Sequence, residues 1–384
     1  MGADPLFIVN WEYAKTGSKL PYVKKITDEW NGSVSYRWQL PGNTLLIFDE
    51  AHVANNRTSL NYALYIASKG YTSLACSATL ADRPARLRGF LDVTGAVDKG
   101  RFSEWLEERG HFTNERNEPE GIDETADMVA INRIVFPRYG YRLRYEDPDV
   151  RRWFPDAAYQ TMMIPLSKNN TARQNALYRG MIERVSHYRS LGLQAQVMLA
   201  DLRYRQAAEL LKADSLADIA QNYIAENHSC IIFVNFLETL SYLANKLRTN
   251  SVIYGNQERD GIPRARVIDS FQEDRSRVII AMVSAGGQSI SLHDLTGRHR
   301  RVSLICPTYN PITLRQVMGR TRRANSRTVP IIKLVYAAGT VEHKVALRVN
   351  AKLDNIIALN DGDLMEPDIF RMGIDRKDTI HETD

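Results

Sequence analysis

The sequence predicts an α/β protein with two parallel-sheet domains joined by helices, and three observations carry that reading. Thr44-Leu-Leu-Ile-Phe48 and Ser229-Cys-Ile-Ile-Phe-Val234 are runs of apolar β-formers without alternation, the pattern of strands buried on both faces of a parallel sheet. From Ser229 to Cys306 such runs alternate with helix-length segments, as a sheet with crossover helices requires. Between the two regions, Thr171 to Asn227 carries Leu, Tyr, Ala and Met at helical spacing, which reads as a helical linker. The implied division is 1–165, a linker at 166–227, 228–358 and an acidic tail at 359–384.

A chain of 384 residues has room for two cores. Its 44% hydrophobic and 25% charged residues exclude the disordered class. The net charge of +5 is unevenly spread: Gly297 to Thr328 holds eight arginines and no acid, whereas Asp361 to Asp384 holds eight acids against three bases. A polyanion suits the first segment and solvent the second. Cys76, Cys230 and Cys306 each fall inside an apolar run and read as reduced core residues, with no disulfide framework and no zinc spacing. No stretch approaches the roughly 18 apolar residues of a membrane span, and no signal peptide follows Met1, so the expectation is a soluble intracellular protein with no membrane partner.

In chain order, Pro5 to Tyr13 reads as a short strand running into a polar turn, and residues 14–43 as a polar, turn-rich connection. The strand at 44–48 ends in Asp49 and Glu50, at the carboxyl end where ligands of parallel sheets sit. An Asp there can hold a Mg²⁺ that bridges nucleotide phosphates, and the following Glu can orient or deprotonate an attacking water. A solvated strand end is the plain alternative. Val53 to Lys69 reads as a helix and Tyr71 to Cys76 as a second strand. That strand closes in Ser77-Ala78-Thr79, at the distance a strand–helix–strand unit requires.

Residues 80–222 read as helix-rich, with one strand at Tyr159 to Pro165 closing the first domain. The second domain follows as strands at 229–235, 251–254, 277–283 and 301–306, with helices at 237–247 and 262–271. After the third strand, the paired Gly286 and Gly287 permit close backbone approach to a phosphate. Asn310 can cap a helix that has Pro311 at its first position and continues to Arg323. On that helix Gln316, Gly319, Arg320 and Arg323 share one face at i, i+3, i+4 and i+7. Arg298, Arg300, Arg301, Arg315 and Arg327 read equally as phosphate-backbone contacts or as a solvated basic face.

Asp49-Glu-Ala-His52 resembles the DEAH box of superfamily-two helicases and translocases, Ser77-Ala-Thr79 their motif III, Ser284 to Asp294 motif V, and Gln316 to Arg323 motif VI. With Pro307-Thr-Tyr-Asn-Pro311 and Gly339-Thr-Val-Glu342, these occur in the order of Swi/Snf-like members. Ser291 to Ala324 is most similar to helicases of large DNA viruses and bacteriophages. Gln288 and Ser289 depart from the usual motif V. Asn10-Trp-Glu-Tyr13 resembles a nucleic-acid-contacting segment. The resemblance implies two RecA-like domains, ATP and Mg²⁺ as cofactors, and a nucleic-acid partner, DNA before RNA. It assigns Mg²⁺ to Asp49, and nucleotide binding to Asp49, Glu50, His52, Gly286 and Gly287. Catalysis falls to Asp49, Glu50, Gln316, Arg320 and Arg323, the last two as finger arginines that can contribute about 10³–10⁵ in rate. Ser77 and Thr79 would couple hydrolysis to movement, and Asn10, Ser284, Arg298, Arg300 and Arg301 would contact nucleic acid.

A phosphate loop needs Gly-x-x-x-x-Gly-Lys-Ser/Thr, and nowhere in this sequence does Lys follow Gly; Thr16-Gly-Ser-Lys19 is the nearest approach. In the family that loop precedes any segment like Pro5 to Tyr13. The resemblance therefore implies a first domain truncated at its N-terminus, with apolar faces and strand edges left open. Three outcomes stay open: a partner chain supplies the loop, the sequence is a fragment, or the protein binds nucleic acid without hydrolysing ATP.

Overall fold

The computed structural model describes residues 6–17, 20–98, 101–108, 112–113, 119–120, 124–136, 138–142, 147–154, 156–261, 263–286, 290–308, 310–337 and 342, which divide between two units at 6–142 and 147–342. In the first unit, α1 (Trp11–Ala14) precedes an antiparallel hairpin, β1 (Val23–Thr27) and β2 (Val34–Trp38). Next come β3 (Leu45–Phe48), a 3₁₀ turn at Ala51–Ala54, α2 (Leu60–Ile66) and β4 (Thr72–Ala75), which pairs parallel with β3. Beyond them lie α3 (Arg88–Val93), α4 (Phe102–Glu107), β5 (Phe112–Thr113) paired with β6 (Pro119–Glu120), and α5 (Glu124–Val135).

Four sequence expectations change here. Phe7 to Tyr13 holds no strand: the Asn10 side chain accepts from Tyr13 N at 2.6 Å and starts a helical turn instead. Residues 14–43 contain the hairpin, whose turn is closed by Asp28 N donating to Ser33 O, with Gly32 at positive φ. The helix expected from Val53 shrinks to Leu60–Ile66, because Asn55 to Ser59 is a polar turn and Ser59 caps the helix. Finally, β3 is buried on one face only. Phe48 packs with Tyr65, Phe90 and Leu91, while Leu45 (52%), Ile47 (58%) and Leu74 (51%) of the paired strands are exposed.

The second unit begins with α6 (Pro148–Arg151), β7 (Ala158–Ile164) and three helices, α7 (Lys168–Ser190), α8 (Gln194–Leu210) and α9 (Ala213–Ala225). It continues as β8 (Ser229–Val234), α10 (Leu237–Lys246), β9 (Val252–Ile253), α11 (Arg264–Gln272), β10 (Val278–Met282), α12 (Val283–Gly286), β11 (Arg301–Ile305), α13 (Pro311–Met318) and β12 (Ile331–Ala337). Its six strands form one parallel sheet in the order β7-β12-β11-β8-β10-β9. Every residue of β8 and β11 is buried, so their unbroken apolar runs do report burial on both faces.

Two placements differ from the sequence division. The expected end of the first domain, β7, pairs with β12 along seven residues from Ala158 to Ile164 and is an edge strand of the second unit. The segment 166–227, expected as a linker, belongs to the same unit: Ala213, Leu216, Ala217 and Ala220 of α9 lie in one core with Ile232, Ile280 and Leu304. Cys230 and Cys306 are buried and free, and Cys76 is half-buried and free. Gly287 to Ser289, Gly339 to Val341 and the tail at 359–384 lie outside the described residues. Among the described residues, no helix is long and apolar enough to cross a membrane.

Candidate functional site

Where β3 ends, the chain makes a tight corner. Asp49 is exposed and its Oδ1 accepts from Glu50 N at 2.9 Å. Glu50 sits at φ 50°, ψ 43°, left-handed backbone that a non-glycine residue adopts at a cost and that clusters at functional sites. Two backbone bonds lock this corner to the end of β4: Cys76 N donates to Phe48 O and Ala51 N to Cys76 O, both at 2.9 Å. The Asp-Glu-Ala-His and Ser-Ala-Thr segments are thereby side by side. His52 Nδ1 lies 3.2 Å from Glu50 Oε2 and 3.3 Å from Ser77 Oγ. Two flanking oxygens favour the Nδ1–H form, whose proton both can accept. Ser77 Oγ also accepts from Thr79 N at 3.2 Å, and Thr79 is buried. From the other side Trp11, its ring tilted against that of Phe48, donates its indole N–H to Asp49 O at 2.8 Å. Sequence reasoning placed Trp11 only within the Asn10–Tyr13 segment that resembles a nucleic-acid contact; its bond to the Asp49 carbonyl was not foreseen.

In the second unit, β10 passes at Met282 into the helical turn α12, which holds exposed Ser284 and ends at Gly286. From Ile290 the chain runs against the end of α13. Leu292 N donates to Arg320 O at 2.9 Å, and Arg320 Nη1 donates to Ile290 O at 3.2 Å. Asp294, fully buried, accepts from Thr296 N, Gly297 N and Thr328 Oγ1 at 3.1, 2.9 and 2.8 Å. It fastens the basic turn at Arg298 to the strand leading into β12.

The helix expected through Arg323 stops at Met318, with Gly319 as its C-cap. Glycine is a poor helix residue, and the Arg320 carbonyl is taken by Leu292, so the chain turns away. Gln316 remains on α13, half-buried; Arg320 and Arg322 are buried beyond it; Arg323 is half-buried. Arg323 Nε has no hydrogen-bond partner among the described residues, and neither has His293 Nδ1. Burial, then Arg323 and Arg301, hold the His293 pKa below the ordinary imidazole value.

Arg301, expected to contact nucleic acid, is not available to it. Its side chain is 0% exposed, pairs with Asp274 at 2.7 Å, donates to Phe271 O at 3.2 Å, and lies 4.6 Å from the centre of the Phe271 ring. At the first position of β11 it points into the core, where only a paired guanidinium is tolerated. Arg300 is tied down in part, donating Nε to Val329 O, and Arg298 is exposed.

The family model described as "Helicase conserved C-terminal domain" matches residues 212–325. A protein of Acanthamoeba polyphaga mimivirus, "Putative ATP-dependent RNA helicase L364", is 28% identical over 362 residues, covering 90% of this chain and 67% of that protein. The chain is thus similar to helicases, through a conserved C-terminal helicase domain at residues 212–325 and along most of its length to the viral protein. Also similar is "Putative ATP-dependent helicase/translocase YwqA" of Bacillus subtilis strain 168, 23% identical over 334 residues that cover 81% of this chain and 35% of that one. The crystal structure of the C-terminal part of the Fun30 ATPase domain aligns at TM-score 0.38 and 13% identity over 55% of this chain and 99% of that structure.

The second unit holds one more cluster, at the carboxyl ends of β8, β11 and β12, that sequence reasoning missed. Lys212 is fully buried and its Nζ lies 2.6 Å from Glu342 Oε1. Glu342 Oε2 accepts from Ala337 N at 2.8 Å. Glu209 accepts from Asn235 N, Asn235 Nδ2 and Phe236 N at distances between 2.7 and 3.1 Å, and Asn235 Nδ2 also donates to Pro307 O at 2.9 Å. Burial alone would lower the Lys212 pKa, but Glu342, Cys306 and Glu209 outweigh it and hold the ammonium charged. Burial raises the Glu209 pKa against Lys212 and the N–H donors.

Proposed function

We propose that this chain works in an ATP-dependent nucleic-acid helicase or translocase, and that Asp49, Glu50, His52, Ser77 and Thr79 form the part of its hydrolytic centre that reports to the nucleic-acid track. The observation that carries this reading is the His52 imidazole held between Glu50 and Ser77. A change in what Glu50 binds is felt at once by the Ser-Ala-Thr segment. Asp49 suits a Mg²⁺ held mainly by phosphates and water: it is an exposed single carboxylate, and among the described residues there is no cluster of three metal-ligating side chains. ATP with Mg²⁺ would supply the phosphoryl group and its charge neutralisation. Glu50 orients the attacking water. Arg323 is the better finger candidate, because Arg320 is buried and braces the backbone of Ile290; Gln316, Gly286 and Gly287 keep their expected parts at the nucleotide in this reading. Asn10, Ser284, Arg298 and Arg300 are nucleic-acid contacts in this reading, Asn10 through the helical turn it caps. The relatives' names favour ATP-driven action on nucleic acid, and the viral one names RNA.

A second reading is favoured by the absence of any Gly-Lys pair in the sequence and by the open apolar face of Leu45, Ile47 and Leu74. In it, a partner chain or further segment supplies the phosphate loop, and this chain alone binds nucleic acid without turnover. Measuring ATP hydrolysis with single- and double-stranded DNA and RNA, beside Glu50→Gln and Arg323→Ala, separates the two. Stimulated turnover lost in both variants supports the motor. No turnover, with nucleic-acid binding indifferent to ATP, supports the second reading, and turnover unaffected by Glu50→Gln refutes the assigned site.

A further inference from the structure

The second unit carries a surface that neither reading uses. α7 and α8 form an antiparallel helical hairpin whose inner faces meet through Met181, Tyr204 and Ala208. Along one side of that seam runs an open groove of about 110 Å³ lined by Arg184, Tyr188, Gln196, Leu199, Ala200 and Arg203. Helical spacing accounts for the lining: 184 and 188 are one turn apart on α7, as are 196, 199 and 203 on α8. α7 brings Lys168, Arg173, Arg179, Arg184 and Arg189 against the single acid Glu183. On α8, Arg205 is paired with Asp201 at 2.9 Å. Arg184 and Arg203 have no ion pair among the described residues. The groove thus offers two guanidinium forks, a phenol and an amide with no carboxylate, beside the apolar Leu199.

We propose that the α7–α8 groove binds the sugar–phosphate backbone of a nucleic acid, Arg184 and Arg203 clamping a phosphate and Tyr188 with Leu199 packing on the adjoining sugar or base. Guanidinium forks match phosphate oxygens bidentately, and an aromatic face next to them takes an unstacked base. This rests on the reading that the chain acts on nucleic acid, and adds an anchoring point outside the superfamily-two motifs.

The test uses the whole chain and labelled 20-nucleotide single- and double-stranded DNA and RNA, titrated by fluorescence anisotropy across a salt series. Arg184→Glu/Arg203→Glu should weaken binding by about tenfold or more, and the slope of log affinity against log salt should fall by about 0.7 to 0.9 for the one lost phosphate contact. Arg184→Lys/Arg203→Lys, which keeps charge without the fork, should fall between. Arg259→Glu, an exposed charge elsewhere in the unit, should change little, and all variants should melt with the wild type. A double-Glu variant no weaker than Arg259→Glu overturns the groove alone. Wild type that binds no oligonucleotide overturns the groove and the proposed function together. Competition by poly-glutamate better than by an oligonucleotide of equal charge also overturns it, in favour of an acidic protein.

Discussion

Replacing Lys212 with methionine is expected to destabilise the second unit by about 3 kcal/mol. The ammonium is fully buried and sits 2.6 Å from Glu342, which is itself buried. Removing one partner of a buried pair costs about 3–5 kcal/mol, because the remaining charge stays desolvated. Methionine keeps most of the packing of the lysine stem, so little cavity cost adds to this. Glu209 keeps its three N–H donors and Glu342 keeps Ala337 N, which places the loss at the low end of the range. Four of the five tryptophans, Trp11, Trp30, Trp38 and Trp105, lie in the first unit, so tryptophan fluorescence would report the wrong part of the chain. Hydrogen exchange of the β8 and β11 amides is the suitable assay, and their protection should fall by about a hundredfold. Lys212→Met/Glu342→Gln, which discharges the stranded carboxylate, should recover part of the loss. A single variant within about 1 kcal/mol of wild type, or a double variant worse than the sum of its singles, would refute the reasoning.

Two further outcomes follow from the same unit. Arg301→Met should cost about 3 kcal/mol by stranding Asp274 in the core, yet leave the salt slope of nucleic-acid binding unchanged, since a buried guanidinium touches no phosphate; a fall in slope of about one would restore Arg301 to the nucleic-acid face. Stability should also fall on acidification from about pH 6.5. Burial, with Arg323 and Arg301, lowers the His293 pKa, and burial, with Arg300 and Arg277 acting against Glu226, lowers that of His228. Both contribute stability that is present above the unfolded value of 6.5 and is lost as pH falls through the folded pKa. Glu209, whose pKa burial raises, acts with the opposite sign. Denaturation midpoints at pH 7.5 and 5.5 decide it: a midpoint that rises on acidification would mean Glu209 outweighs the histidines and the expected balance is wrong.

What the sequence made legible depended on whether the information was local. The second sheet could be read strand by strand because β8, β10 and β11 are buried on both faces, and burial of that kind leaves unbroken apolar runs. The hairpin β1–β2 escaped because Lys24 and Arg37 solvate one face and β1 is exposed from Lys24 to Thr27, so the pair looked like a polar loop despite Asn31-Gly32 at the turn. Apolar composition also misjudged β3, where Leu45 and Ile47 are exposed: a sequence reports that a side could be covered, and says nothing of whether a neighbour covers it.

At the motifs the same limit takes a sharper form. Spacing put Gln316, Gly319, Arg320 and Arg323 on one helical face, an inference valid only while the helix lasts. It ends at Met318 because a carbonyl beyond it is recruited by Leu292, which is 28 residues earlier in the chain. Arg301 looked like a phosphate contact because charge is visible in a sequence, whereas its counter-ion Asp274 is identified only once α11 and β11 are packed together. Residue type and spacing thus indicated which side chains could do chemistry. Which of them are free to do it was decided by partners distant in the chain: Asp274 withdraws Arg301, the backbone of Ile290 engages Arg320, and Arg323 stays half-buried at the surface.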